Sequence, residues 1–151
     1  IDPRKNWRIM LSGFRNVVDR VRVKRTELPR LVLVGKISKD DQYPLLHAYA
    51  KELGISELIV ETGFVPDEDL VGLYRSAAAL FFPSMYEGFG LTPLEAMAAG
   101  CPVVCSNNSA LPEVVADAAL TSDPMDDVSF GRNLFTILEE HDLVSELIAR
   151  G

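Results

Sequence analysis

Two glutamates eight positions apart, Glu87 and Glu95, bracket two glycines, Gly88 and Gly90, in the stretch "PSMYEGFGLTPLEAMAAGCPVVCS" at residues 83–106. Glycines let backbone amides approach a ligand without Cβ obstruction, and the apolar helix that follows offers free N–H groups and a positive dipole end. An anion fits such a place. Two carboxylates repel a phosphate beside them, so they read better as acceptors for hydroxyl groups, such as those of a sugar, flanking a phosphate held by backbone. A structural alternative exists for Glu95: "TPLE" matches a capping box with Thr92 at the N-cap, Pro93 at N1 and Glu95 at N3. Spacing alone leaves both readings of Glu95 open. Glu87 has no comparable structural role. Lys5, beside Arg4, opens the first helix, where a cation opposes the helix dipole unless an anion lies between. A diphosphate resolves that conflict; a solvated basic pair is the plainer alternative.

The elements that position these residues are legible in the hydropathy. Short apolar runs "RLVLVG" (30–35), "LIVETG" (58–63), "ALFFP" (79–83), "PVVCS" (102–106) and "AALTS" (118–122) alternate with helix-period segments. The helical segments are 7–23, with Met10, Phe14, Val17, Val18 and Val21 on one stripe, then 40–53, 67–78, 93–99, 111–116, 127–140 and 141–150. Continuous apolar strands without strict alternation belong to a parallel sheet covered on both faces. The pattern predicts an α/β, doubly wound parallel sheet, in which a strand expected before "PRKN" is missing from the chain. Ligands of such sheets bind beyond the carboxyl ends of the strands. That makes candidates of the loops at 4–6, 35–38, 63–69, 84–92 and 106–113.

Composition narrows the partners. The 151 residues are 48% apolar and 25% charged, which suits one globular domain. Fifteen basic against twenty-two acidic side chains give a net charge of −7, which argues against nucleic acid. No apolar run approaches the roughly 18 residues needed to span a bilayer. Cys101 and Cys105 read as buried small hydrophobes of a reducing compartment rather than a disulfide or metal pair. Asp67, Glu68 and Asp69 read as first-turn acids of a helix, and His47 and His141 have no ligand-spaced partners. No GxGxxG, GxxxxGK[ST], HExxH or GxSxG occurs.

Together these features resemble the C-terminal, donor-binding half of a GT-B, family 4 retaining glycosyltransferase, and of a mannosyltransferase in particular. The resemblance is carried by E-x7-E in "EGFGLTPLE" (87–95), with "RKN" (4–6), "LVLVG" (31–35), "GFVPDEDLVGLYRSA" (63–77) and "LPEVV" (111–115) in family order. It implies that residues 1–151 bind a nucleotide-sugar and that the acceptor-binding N-terminal domain lies outside the chain. Lys5 and Arg4 are expected on the donor diphosphate, and Gly88, Phe89, Gly90, Leu91 and Thr92 on phosphate and sugar. Glu87 is expected on the transferred hexose, Glu95 on the ribose and Val65 on the base through its backbone, with Glu87 and Lys5 acting in catalysis.

The implied donor is GDP-mannose or a UDP- or ADP-hexose, the acceptor is a sugar, glycan or lipid-linked hydroxyl, and neither metal nor other cofactor is expected. The implied location is cytoplasmic, any contact with the inner membrane face being made through the missing half. Two departures stand out: Ser109-Ala110 replaces the "GG" often found before "PEVV", and the basic residue usual at the end of the preceding strand lies outside the chain. Rival readings are a UDP-N-acetylglucosamine 2-epimerase-like enzyme and a non-catalytic receiver-like module, the second lacking its Asp and Lys where Gly63 and Ser106 stand.

Overall fold

The computed structural model describes residues 2–25 and 27–151. A 3-10 turn at Pro3–Lys5 leads into α1 (Trp7–Lys24), followed by β1 (Leu31–Val34), α2 (Tyr43–Glu52), β2 (Ile59–Gly63), α3 (Asp67–Ser76) and β3 (Leu80–Phe82). The second part of the chain forms α4 (Leu91–Ala98), β4 (Val103–Ser106), α5 (Leu111–Val115), β5 (Ala119–Ser122), α6 (Asp127–Glu139) and α7 (His141–Arg150). All five expected strands form, and every named ladder is parallel.

The expected parallel α/β arrangement forms, with its strands hydrogen-bonded as two ladders. One pairs β1 with β2, the other runs β3-β4-β5, and β1 shares no ladder with β3. The hydropathy of each strand reports that it is buried but not which neighbour it finds. β4 sits in the middle of its ladder with all four residues buried, whereas β1 alternates, Leu31 and Leu33 turned inward and Val32 and Val34 nearly half exposed.

α1 forms because Trp7, Leu11, Phe14, Val18 and Val21 recur at helical spacing and all are buried. Trp7, Leu11, Phe14 and Val18 pack with Leu31, Leu33, Leu46, Ala50 and Ile55 into one core cluster. The neighbouring surface of α1 packs on α6, the most extensive helix pair in the fold. Close approach there depends on Gly131: a Cβ on it would fall 2.4 Å from the Cβ of Asn16 and 3.1 Å from the Gly13 carbonyl oxygen. α6 is started by Asp126, whose carboxylate accepts from the Ser129 N–H.

A second cluster joins Phe82, Ala96, Val103, Leu111 and Val115 with Cys101 and Cys105. Both thiols are free and buried. Burial pushes the Cys105 thiol up to about 12 and raises that of Cys101 as well. They behave as the small hydrophobes expected of them.

Three helix boundaries differ by two residues or more from the sequence reading. α2 begins at Tyr43 rather than at residue 40, because the Asp40 carboxylate accepts from the Gln42 N–H and folds 40–42 into a turn. α3 stops at Ser76, two residues early. The third difference matters for function: α4 begins at Leu91, with Gly90 at the N-cap. Gly90 has φ +99°, a left-handed conformation that L side chains rarely adopt, and a Cβ on it would lie 3.0 Å from Leu111 Cδ2. The chain therefore turns into the helix two residues before Thr92. Thr92 is not an N-cap, no side chain caps α4, and the capping box with Glu95 does not form.

Candidate functional site

Asn6 organises the carboxyl edge of the second sheet. It sits at φ +56° between the first turn and α1, and its Nδ2 donates to the carbonyls of Pro83 (3.0 Å) and Pro124 (2.7 Å). Asparagine tolerates this left-handed conformation better than most side chains. The N-terminal turn is thereby fastened to the ends of two strands. The Arg4 carbonyl adds one more tie, accepting from the Met85 N–H at 2.7 Å.

This fastening brings together Lys5 and Glu87, 82 positions apart in sequence. Lys5 Nζ donates to Glu87 Oε1 at 2.8 Å, and the buried Ser84 hydroxyl donates to the same oxygen at 2.7 Å. Both bonds fall on Oε1; Oε2 has no partner among the described residues. The Glu87 N–H donates to Ser109 Oγ at 3.0 Å, and Asn108 Nδ2 donates to the Met85 carbonyl at 2.7 Å. Ser109 occupies a positive-φ position, +50°, so this serine accepts backbone strain and supplies a hydroxyl. The Lys5 ammonium also lies 4.8 Å from the centroid of the Phe82 ring.

The Lys5 and Glu87 side chains are 47% and 19% exposed, and a pair that wet contributes at most about 1 kcal/mol to stability. Its consequence is orientation. Burial raises the Glu87 carboxyl, but the hydrogen bonds from Lys5 and Ser84, with the charges of Lys5 and Arg4, outweigh it, and the net shift is below the ordinary 4.5. A depressed folded value means the stabilisation is complete above the unfolded value and is lost as pH falls through the folded one. The stability difference between the wild-type chain and Glu87→Gln is therefore expected to stay level from about pH 8 to about pH 5 and to shrink below about pH 4. Urea titrations across that range check it, and a difference that grows on acidification would contradict it.

The remaining expected residues divide. Gly88, Phe89, Leu91 and Thr92 follow Glu87 around the rim, with Phe89 and Leu91 59% and 63% exposed. A Cβ at Gly88 would meet nothing within 4 Å. Gly90 is required by the fold; Gly88 is not required by packing, which leaves open approach from outside as its use. The first residues of α4 also point a positive dipole end at this rim, and no side chain occupies it.

Arg4 is committed elsewhere. Its Nη2 lies 2.6 Å from Asp2 Oδ2, and hydrogen bonding to Arg4 draws the Asp2 carboxyl down to about 2. Val65 is half-buried in the loop between β2 and α3. Glu95 lies one turn into α4, exposed, and faces α3. Its Oε2 is 3.4 Å from the hydroxyl of Tyr74, whose ionisation burial and then the Glu95 charge push up to about 12. Glu95 lines a cavity of 390 Å³ between the two helices, shared with Asp67, Val71, Tyr74 and Arg75. The structure joins Lys5 to Glu87 directly, whereas Glu95 lines a cavity between α3 and α4 whose lining includes neither of them.

Sequence reasoning missed Ser84, Asn6 as a strut, Asn108 and Tyr74. Ser84 carried a signal, being a polar residue directly after an apolar strand. No group of three or more His, Cys, Asp or Glu among the described residues gathers as metal ligands do.

The whole chain, residues 1–151, matches the family described as Glycosyl transferases group 1. It belongs to that family. Its relatives include the O-antigen chain mannosyltransferase B of Escherichia coli, 39% identical over 153 residues, covering 100% of this chain and 38% of that protein. The chain therefore spans well under half the length of that relative. Among solved structures, the sucrose-phosphate synthase of Thermosynechococcus elongatus superposes with a TM-score of 0.84 at 23% identity, over 99% of this chain and 37% of that one. The HepE protein of Anabaena, solved with UDP-glucose, gives 0.83 at 19% identity over 99% and 40%. At such identities the likeness concerns the fold, which is the Rossmann-like half of a GT-B glycosyltransferase. No helix among the described residues is long and apolar enough to cross a membrane.

Proposed function

We propose that this glycosyltransferase chain is the C-terminal, donor-binding domain of a retaining hexosyltransferase, which moves a hexose from a nucleotide-sugar to an acceptor hydroxyl. The observation that carries the reading is Glu87: its Oε1 is fixed by Lys5 and Ser84, and its Oε2 is left to accept from a sugar hydroxyl beside the open backbone of Gly88. A charge-assisted hydrogen bond of that kind contributes about 1.5–3 kcal/mol. The departing nucleoside diphosphate gathers negative charge, which the Lys5 ammonium and the uncapped amides of α4 offset without a metal. Arg4 joins them by exchanging Asp2 for phosphate.

Glu95 and the cleft between α3 and α4 accept the ribose, and the backbone of Val65 meets the base. Because relatives of the chain are named mannosyltransferases, GDP-mannose is the donor we favour, with UDP- and ADP-hexoses as the alternatives. The acceptor site belongs to an N-terminal domain outside this chain, in a cytoplasmic enzyme whose contact with a membrane, where made, is through that domain. The chain by itself is expected to bind donor and transfer nothing.

Calorimetric titration of the chain with UDP-, GDP- and ADP-sugars in excess chelator tests the reading. Saturable binding of one base class is expected. Binding that appears only on adding a divalent cation, or none with any donor, would overturn it. An epimerase would convert the donor without acceptor, which product analysis of the full-length enzyme excludes or reveals.

The Glu95 assignment has its own test, since the capping alternative is gone. Glu95→Gln is expected to leave the melting temperature within about 2 °C, as surface changes usually cost under about 0.5 kcal/mol. The same change is expected to weaken nucleoside diphosphate binding about tenfold, the loss of one charge-assisted bond. Unchanged affinity would remove Glu95 from the site.

A further inference from the structure

The loop that follows β4 reaches the loop that carries Glu87 at two points. Asn108 Nδ2 donates to the Met85 carbonyl at 2.7 Å, and Ser109 Oγ accepts from the Glu87 N–H at 3.0 Å. The two bonds lie on either side of Tyr86, which is left exposed. They hold main chain, whereas Lys5 and Ser84 hold the Glu87 side chain at Oε1. Glu87 is therefore fixed at both ends. With its nitrogen tied at one end and one carboxylate oxygen at the other, few combinations of the torsions between them satisfy both, and that settles where Oε2 lies. Free the nitrogen and Oε1 becomes a pivot about which Oε2 swings. Packing does not replace the lost tie, because the chain runs on into Gly88, where a Cβ would meet nothing within 4 Å.

The hydroxyl that makes this tie stands on a strained residue. Ser109 has φ +50°, in the left-handed region where glycine is at ease and a side chain is not. The residue is exposed, so burial does not offset the strain. Glycine would make the same turn unstrained and lack only the hydroxyl. Strain held at an exposed turn, whose own side chain ties down a neighbouring carboxylate residue, points to function rather than to packing.

We infer that Ser109 is a positioning residue for hexose transfer, given the role proposed for Glu87: its hydroxyl holds the Glu87 main chain so that Oε2 stays aimed at a sugar hydroxyl. Ser109 acts through Glu87 and touches no reacting atom itself. Its loss is felt in the rate because a misplacement on the order of 1 Å costs up to about 100-fold.

Steady-state kinetics of the full-length transferase, with thermal melting, test this on two variants. Ser109→Gly is expected to lower kcat about 10–100-fold. Its melting temperature should stay within about 2 °C, since relief of the left-handed strain offsets the greater freedom of glycine in the unfolded chain. The inhibition constant of the nucleoside diphosphate released in the reaction should move by less than about twofold, because that part of the donor does not meet Glu87. Ser109→Thr keeps the hydroxyl on a branched side chain that tolerates this φ less well. It is expected to melt lower yet to keep kcat within about threefold. A merely structural role makes rate follow stability, and the order of the two variants would then be reversed. A loss of under about threefold in Ser109→Gly overturns the inference whether or not Ser109→Thr folds, as does a folded Ser109→Thr no faster than Ser109→Gly. Glu87→Gln tells this failure from that of the underlying reading. If Glu87→Gln transfers at full rate, the role of Glu87 falls and that of Ser109 with it; if Glu87→Gln is slow and Ser109→Gly is not, only the positioning role falls.

Discussion

Replacing Lys5 with methionine in the full-length transferase is expected to lower kcat for sugar transfer by about 10²–10³-fold, the loss typical of removing one positioned donor from a developing anion. Methionine keeps an unbranched apolar stem to rest against Phe82, so packing is largely retained while the ammonium is lost. Glu87 keeps its bond from Ser84 and stays in place. The effect should therefore be on the chemical step, with acceptor KM unchanged. Lys5→Arg should recover part of the rate, since its charge survives in a different shape. Steady-state kinetics with saturating acceptor would decide the matter, and a loss of under tenfold would move the diphosphate contact away from Lys5. Melting temperature should barely respond, because the Lys5–Glu87 pair is partly solvated.

The largest structural effect is expected at Phe130. This ring is fully buried and packs on Phe81, with centroids 5.2 Å apart, in a cluster with Val104, Ile137 and Leu147. It also stands where α6 meets α1: a Cβ on Gly13 would lie 3.0 Å from Phe81 and 3.3 Å from Phe130. Phe130→Ala opens a void between helix and sheet that α1 cannot fill, held off as it is by the Gly131 contact. The expected cost is about 3–5 kcal/mol, against a total of roughly 5–15 for a domain of ordinary stability. A fall in melting temperature of about 10 °C or more should follow. Urea denaturation would show it as a lower midpoint at unchanged slope, and a cost below about 1 kcal/mol would mean that the α1–α6 contact is looser than the structure has it.

How much was legible in advance depends on how local each determinant is. The five apolar runs produced five strands, and the stripe of α1 was readable because burial imposes helical spacing on side-chain type. Where an expectation failed, a short-range competitor won. At 40–42 an Asp side chain folded a turn before the helix could start, and at residue 90 a left-handed glycine started α4 ahead of the threonine that matched a capping pattern. "TPLE" was a good local rule applied two residues too late. The glycine that displaced it was in plain view, but its left-handed φ and the close approach of Leu111 are seen only in the fold.

For this protein the sequence alone determined the alternation of strand and helix, the parallel α/β class, the membership of a glycosyltransferase family, and the candidates Lys5, Glu87 and Glu95. Tertiary structure decided which of these meet. It tied Lys5 and Ser84 to one oxygen of Glu87, turned Arg4 to Asp2, set Glu95 against Tyr74, and divided the strands into two ladders. The physical reason is range: hydropathy and turn chemistry act over a few residues, whereas a contact across 82 positions exists only once the strands have fixed where each loop emerges.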